Sequence, residues 1–393
     1  MTSRTPAPFI PGKTKIPLQV PSYDADEVIE ALDSLMSGWV TMGKKVKAFE
    51  EAWAAYIGVK HAVMTNSGSS ANLLALSALD IPKGSEIITP ALTWATTVFP
   101  IAQAGFVPVL VDVERETYNI DRYAVGKALT RKTRAFMPVH LLGNPVDLWR
   151  KDVYVIEDAC EAHGAEINGR KVGSFGTMGT FSFFFSHHIS TIEGGMITTN
   201  DDWIATRLRS LRAFGWTREH PNQESLGKAY PDIDPRFRFV FPGFNFRPTE
   251  IAGAFGLHQL PKLEGFIKVR RENAAWWNKE FERYQDWLQL PIEAPGTRHV
   301  SFAYALQVKE GAPFTKQALQ DHLEALVVET RPIEAGNMAI QPAMRHIKWR
   351  QGGPLTNSEY IHHNAFMIGN HQGIGKQERE AVAEYVHEFM GGL

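Results

Sequence analysis

Hydrophobic and polar positions along the chain alternate between two periods, and the alternation sets the order of elements. Short apolar runs read as strands: HAVMTN (61–66), EIITP (86–90), VPVLVDV (107–113), AFMPVH (135–140), VYVIED (153–158) and MITTN (196–200). Between them GSSANLLALSALD (68–80), TWATTVFPIAQAG (93–105) and YAVGKALT (123–130) carry helical spacing. Strands separated by helices of about ten residues predict an α/β fold with a mostly parallel sheet covered on both faces. Upstream, Asp24 caps a predicted helix to Met36 with Val28, Ile29, Leu32 and Leu35 on one face, and a second helix (46–56) stops at Gly58. Downstream, DDWIATRLRSLRAFG, EIAGAFGLHQL and LEGFIKVRRENAAWWNKEFERYQ read as helices. FAYALQV and VVETRPI then read as strands, and KQALQDHLEAL and KQEREAVAEYVHEFM as helices. The expected division is an N-terminal arm (1–23), a large domain (24–260) and a smaller C-terminal α+β domain (261–393). Residues 216–244 read as an irregular polar surface loop.

One stretch organises the rest: FSFFFSHHISTIEGG, residues 181–195. Its aromatic half is too apolar for a solvated loop and reads as an interior strand, Phe181 to Phe185, that delivers His187 and His188 into a cleft. Gly194 and Gly195 allow close backbone approach. No lysine occurs between Lys171 and Lys228.

Composition narrows the function. The 393 residues are 44% hydrophobic with a formal net charge of −2, which leaves no electrostatic footprint for nucleic acid. Cys160 is the only cysteine, so neither a disulfide nor a cysteine-bound iron–sulfur cluster is expected, and a reducing cytoplasm is the natural setting. The uncharged stretch Ile87–Val111 is long enough to span a bilayer, but Pro90, Pro100, Gly105 and Pro108 break it into strand, helix and strand. No membrane partner is expected.

Three groups fall at the carboxyl ends of strands, where ligands of such sheets sit. Gly68, Ser69 and Ser70 open a helix whose N-terminus suits an anion; the simpler reading is that Ser67 or Ser69 only caps it. Asp158, with Glu157 and Glu161 beside it, is placed to hold a cationic ring nitrogen, or else to cap the next segment. Trp94 offers a flat face for an aromatic ring, or ordinary packing. A metal site at the histidine pair with Glu193 is not expected, since adjacent residues on a strand point apart. Together these parts describe a pyridoxal phosphate pocket.

Several motifs in order are similar to the fold type I sugar aminotransferases of the DegT/StrS family: SGSSANLLAL, EDACEAHGA with GRKVGSFGTMGTFSF, the EGG turn, LRAFGWTRE and GFNFRPTEIAGAFGLHQL. The resemblance covers residues 24–390. In that family the cofactor lysine stands seven residues before the first glycine of EGG, and here that position is His187. The chain therefore resembles the histidine-for-lysine members that deoxygenate nucleotide sugars. The resemblance implies noncovalent pyridoxal/pyridoxamine phosphate and loss of the C3 hydroxyl of a nucleotide-linked 4-keto-6-deoxy sugar, with release of ammonia. L-glutamate would regenerate the amine form of the cofactor. GDP is the expected nucleotide; CDP, dTDP and UDP stay open. It further implies His187 as base, Asp158 at the ring nitrogen, Glu161 near the ring hydroxyl, Trp94 stacked on the ring, and Gly68, Ser69 and Ser182 at the phosphate. Asn245 would reach the phosphate from the other subunit of a homodimer. The alternatives are an aminotransferase working without its lysine and a catalytically silent binder of the same fold.

Overall fold

A capping box starts the first helix, α1 (Ala25–Met36): the Asp24 side chain accepts from Asp26 N, and the Glu27 side chain accepts from Asp24 N. The computed structural model describes residues 8–147, 152–218 and 222–393, so the first seven residues of the expected arm lie outside the described chain. From residue 8 the arm does find a surface. Ile16 is buried and pairs with Val328.

The eight-stranded sheet runs in the order β1 (His61–Thr65), β9 (Gly195–Thr199), β8 (Met178–Ser182), β5 (Tyr154–Asp158), β4 (Thr133–Phe136), β2 (Glu86–Pro90), β3 (Val107–Val111) and β14 (Arg350–Gln351). Only β9 runs against its neighbours; the pairs from β8 through β14 are parallel. Both faces are covered, which is why these strands are apolar almost throughout. Ala62, Met64, Phe181 and Met196 face α2 (Lys44–Ile57), α8 (Glu250–Gln259) and α9 (Leu263–Phe281). Val63, Ile156 and Ile197 face α3 (Gly68–Ala78) and α6 (Asp202–Arg212). Helices α4 (Ala95–Gln103) and α5 (Arg122–Ala128) complete the β–α alternation. The uncharged stretch Ile87–Val111 resolves into β2, α4 and β3, and no helix among the described residues is long and apolar enough to cross a membrane.

A second, antiparallel sheet of β10 (Leu288–Gln289), β12 (Ala303–Val308), β15 (Ala365–Gly369) and β13 (Thr330–Pro332) has its own core. Trp277 and Phe281 of α9 pack there with Tyr304, Leu306 and Phe366, under α10 (Lys316–Ala325) and α12 (Lys376–Gly391). Strands β6 (Glu166–Ile167), β7 (Arg170–Lys171) and β11 (Thr297–Arg298) form a small third sheet. Strand β14 comes from beyond residue 260 yet completes the edge of the large sheet against β3.

Two expectations need correction, and two features were not foreseen. The aromatic strand ends at Ser182, not Phe185: Phe183 turns into the core against Phe49 and Trp53, while Phe184 and Phe185 are exposed. The loop at 216–244 contains a helix, α7 (Gln223–Ala229). Helix α11 (Thr356–Asn364) and strand β15 carried no recognisable period, being short and hidden behind adjacent histidines. Lastly, the apolar stripe of α1 faces away from the rest of the chain. Glu27, Ala31 and Ser34 face the protein, and Ile29, Leu32, Leu35 and Met36 face outward, Met36 at 88% exposure. Glu27 is held there by Gln259 Nε2 at 2.6 Å and Lys262 Nζ at 2.7 Å.

Candidate active site

Three strand ends build one wall of a cavity of about 410 Å³. At the end of β1, Ser67 caps α3 by accepting from Ser70 N at 3.0 Å, so the expected cap is Ser67, which leaves Gly68 and Ser69 facing the cavity. A Cβ on Gly68 would lie 2.5 Å from Ser182 Cβ at the end of β8. One on Gly195 would lie 2.3 Å from Ser67 O. Backbone, hydroxyls and a helix N-terminus are thus packed more tightly than side chains would permit, which makes an anion cradle.

The strand end Glu157–Asp158 divides by pleat. Glu157 turns away and accepts from Gly173 N (2.6 Å), Phe175 N (2.7 Å) and Gly176 N (2.6 Å), while Asp158 Oδ1 caps the next segment by accepting from Cys160 N at 3.2 Å. Asp158 turns into the cavity, 4% exposed, and accepts from Asn72 Nδ2 at 2.9 Å and Thr97 Oγ1 at 2.8 Å. Asn72 is itself held by Thr180 Oγ1 at 2.6 Å, and Thr97 by Thr93 Oγ1 at 3.0 Å. These hydroxyls and the amide orient the carboxylate and were invisible as a set in the sequence. Trp94, the N-cap of α4, lines the same cavity and is 55% exposed. Glu161 lines it too, accepting from Leu142 N at 2.7 Å. Burial, together with the neighbouring carboxyl of Glu334, holds Glu161 well above the usual carboxylate range.

The histidine pair separates as expected, though from a turn rather than a strand. His187 N donates to Phe184 O at 3.0 Å, and the His187 ring reaches the cavity beside Phe302, centroids 5.4 Å apart. Its Nδ1 is buried without a partner, which leaves Nε2 as the nitrogen open to the cavity. His188 is fully buried with Nε2 3.4 Å from Val300 O. Burial, and then the Arg270 guanidinium, pushes His187 down to about 3, so the imidazole is neutral and free to accept a proton. His163 is buried edge-on against Trp53 and takes part in packing, not in the cavity wall.

No lysine lines the cavity. Among the described residues no group of three metal-ligating side chains is placed to hold a metal ion. Asn245 lies elsewhere: its Oδ1 accepts from Arg247 Nε at 3.0 Å, and its backbone bridges Ala213. The fold also adds Ser186, Arg331 and Glu334 to the lining, none of which the sequence singled out. The residues present fit pyridoxamine or pyridoxal phosphate: a side-chain-free cradle, a carboxylate held by three donors, an exposed indole and a neutral imidazole in one cavity.

The DegT/DnrJ/EryC1/StrS aminotransferase family matches residues 21–387. The chain belongs to this family. It is 39% identical over 372 residues to a GDP-4-keto-6-deoxy-D-mannose 3-dehydratase of Yersinia pseudotuberculosis, covering 91% of this chain and 94% of that one. A solved histidine-to-asparagine variant of GDP-4-keto-6-deoxymannose-3-dehydratase, with bound GDP-perosamine, superposes with a TM-score of 0.89 at 36% identity. It covers 94% of this chain and 100% of its own. Another form of that enzyme, with a trapped PLP-glutamate geminal diamine, gives 0.88 at 36% identity, covering 94% and 99%.

Proposed function

We propose that this chain removes the C3 hydroxyl of GDP-4-keto-6-deoxymannose with noncovalent pyridoxamine phosphate. One observation carries the reading. The cavity of an aminotransferase-family fold holds an oriented Asp158 and a neutral His187, and no lysine. When bound, the cofactor supplies an amine for the sugar's C4 ketone and a ring that accepts electrons. Asp158 holds the proton of the ring nitrogen. Trp94 covers one ring face, Glu161 meets the ring hydroxyl, and Gly68, Ser69 and Ser182 bind the phosphate. His187 Nε2 takes the proton whose removal drives the hydroxyl out, which imidazole can do without trapping the cofactor.

L-glutamate restores the amine form, in line with the adduct trapped in the solved relative. We assign residues 24–260 to the cofactor-binding domain and 261–393 to a C-terminal domain that closes the cavity with Arg331 and Glu334. The active unit is a homodimer. Two features support it: Asn245 lies away from its own cavity, and the apolar face of α1 points outward. Product analysis tests the activity. A 3-deoxy-4-keto sugar with free ammonia is expected, at one equivalent without L-glutamate and continuously with it. An amino sugar would instead make the chain an aminotransferase, and no turnover a silent binder.

A further inference from the structure

Residues 16–21, IPLQVP, run along the C-terminal sheet. Ile16 N donates to Val327 O at 3.0 Å and Ile16 O accepts from Glu329 N at 2.9 Å, a parallel pairing that lays the arm beside the start of β13. Leu18 N then donates to Glu329 Oε2 at 3.2 Å, and Pro17 O accepts from His371 Nε2 at 3.0 Å. Pro17 and Pro21 stiffen the stretch between them. Counting three residues on from the Ile16–Val328 pair, the parallel register sets Gln19 beside Arg331, and both residues line the cavity.

Among the described residues, Arg331 is the one permanently cationic side chain on the cavity wall, while Asp158, Glu161, Glu193 and Glu334 are acidic. Its guanidinium is exposed and, like the Gln19 amide, makes no hydrogen bond or ion pair among the described residues. Glu329, two residues before it, is already engaged by Lys15 Nζ at 3.1 Å and by the Leu18 N–H. The groups that fit the cofactor's ring and phosphate, Gly68, Ser69, Trp94, Asp158 and Ser182, all stand at strand ends of the large sheet. Gln19 and Arg331 come instead from the arm and the C-terminal sheet.

We propose that Arg331 and Gln19 form the subsite that selects the amino donor, by taking the side-chain carboxylate of L-glutamate. The inference rests on the reading above, in which L-glutamate restores the amine form of the cofactor. The donor's amine must reach the cofactor, so the carboxylate next to that amine stays beside the ring. The side-chain carboxylate, at the far end of the donor's chain, reaches the wall built by the arm and the C-terminal sheet. There the acidic lining leaves one place for it. Arg331 offers a planar fork that a carboxylate meets with two hydrogen bonds, and the Gln19 amide N–H supplies a third. A donor without the second carboxylate leaves this fork unmatched, which is how such a site discriminates. The sugar's diphosphate makes a weaker claim on the pair, since it hangs from C1, across the ring from C4, and is free to extend beyond the wall.

The test uses the full-length enzyme loaded with pyridoxal phosphate and follows its conversion to pyridoxamine phosphate by absorbance. The donors are L-glutamate and L-norvaline, which has the same chain without the second carboxylate. Arg331→Met should raise the half-saturating L-glutamate concentration about ten- to a hundredfold, with less than about threefold change in the rate at saturation. Gln19→Leu should raise it about two- to tenfold. Arg331→Lys, which keeps the charge without the fork, should recover part of the loss. L-norvaline should be a poor donor for the wild type and no poorer for Arg331→Met. Unaltered saturation by L-glutamate in Arg331→Met overturns the proposal. So does an equal loss with both donors, which would put Arg331 on the other carboxylate or in a structural role. Turnover of the nucleotide sugar by the pyridoxamine form is the separate arm. A rise in its half-saturating concentration as large as that for L-glutamate would assign the arginine to the diphosphate and overturn the proposal. An amino sugar from the wild type would sink the dehydratase reading, while the donor comparison still decides the subsite.

Discussion

Replacing Gly68 by alanine puts the cradle under a defined load. The new Cβ would sit 2.5 Å from Ser182 Cβ, 2.9 Å from its Oγ and 3.1 Å from its Cα. Ordinary contact begins at 3.4 Å, so something must move by about 0.9 Å. Ser182 cannot yield, because β8 lies inside the sheet between β5 and β9. The first turn of α3 moves instead, and with it the N–H groups aimed at the phosphate. Overpacking of this kind costs about 1–3 kcal/mol of stability. Each charged hydrogen bond lost to phosphate costs about 1.5–3 kcal/mol, or roughly ten- to a hundredfold in affinity. Equilibrium dialysis of pyridoxamine phosphate against Gly68→Ala measures the loss. Gly126→Ala is the control: this exposed glycine of α5 has nothing within 4 Å of an added Cβ, and alanine there should stabilise by up to about 1 kcal/mol. If folded Gly68→Ala binds the cofactor within twofold of wild type, the cradle has been placed on the wrong residues.

Mixing Asp158→Asn with Asn245→Ala, each nearly inactive alone, should restore roughly a quarter of the wild-type activity, since half the dimers are mixed and one of their two sites is intact. No recovery after subunit exchange would refute a shared site. Stability should fall on acidification. His163, His188 and His299 are held neutral in the fold by burial, so the unfolded chain binds more protons below pH 6.5, and His299, pushed down to about 3, alone costs about 2 kcal/mol by pH 5. Glu161, whose proton is held more tightly in the fold by burial and by the neighbouring Glu334, has the opposite sign and offsets part of that loss, so urea unfolding should show lower stability at pH 5 than at pH 7. Equal stability at pH 7 and pH 5 would contradict this. Arg212→Met should cost about 3–5 kcal/mol in the same assay, because it leaves the Glu50 carboxylate, now 2.5 Å from the guanidinium, buried and unpaired. A loss under 1 kcal/mol would show that water reaches Glu50.

What the sequence disclosed follows from how local each signal is. Gly68, Asp158 and Ser182 stand at boundaries where a two-residue period gives way to a helix or a turn, and such boundaries mark ligand-facing strand ends in a parallel sheet. Asn72, Thr97 and Thr180 sit within helices and a strand, and only the fold brings them around Asp158. Glu334 and Arg331 enter the cavity from a sheet whose strands are distant in sequence, so no spacing could announce them. The apolar stripe of α1 was legible as a stripe, but the fold turns Ile29, Leu32 and Leu35 outward. Periodicity reports that a face is apolar, not what covers it. The aromatic run at 181–185 misled for a related reason, since Phe183 is buried by α2 after the strand has ended.

The central claim is that His187 stands where the family's lysine would be and leaves the cofactor unbonded. The direct measurement is borohydride reduction of the wild type and of His187→Lys, each with pyridoxal phosphate, followed by intact mass. A covalent adduct is expected only in His187→Lys, mapped to residue 187. A reduced adduct of the wild type on any lysine would contradict it, and the cavity would then belong to an aminotransferase.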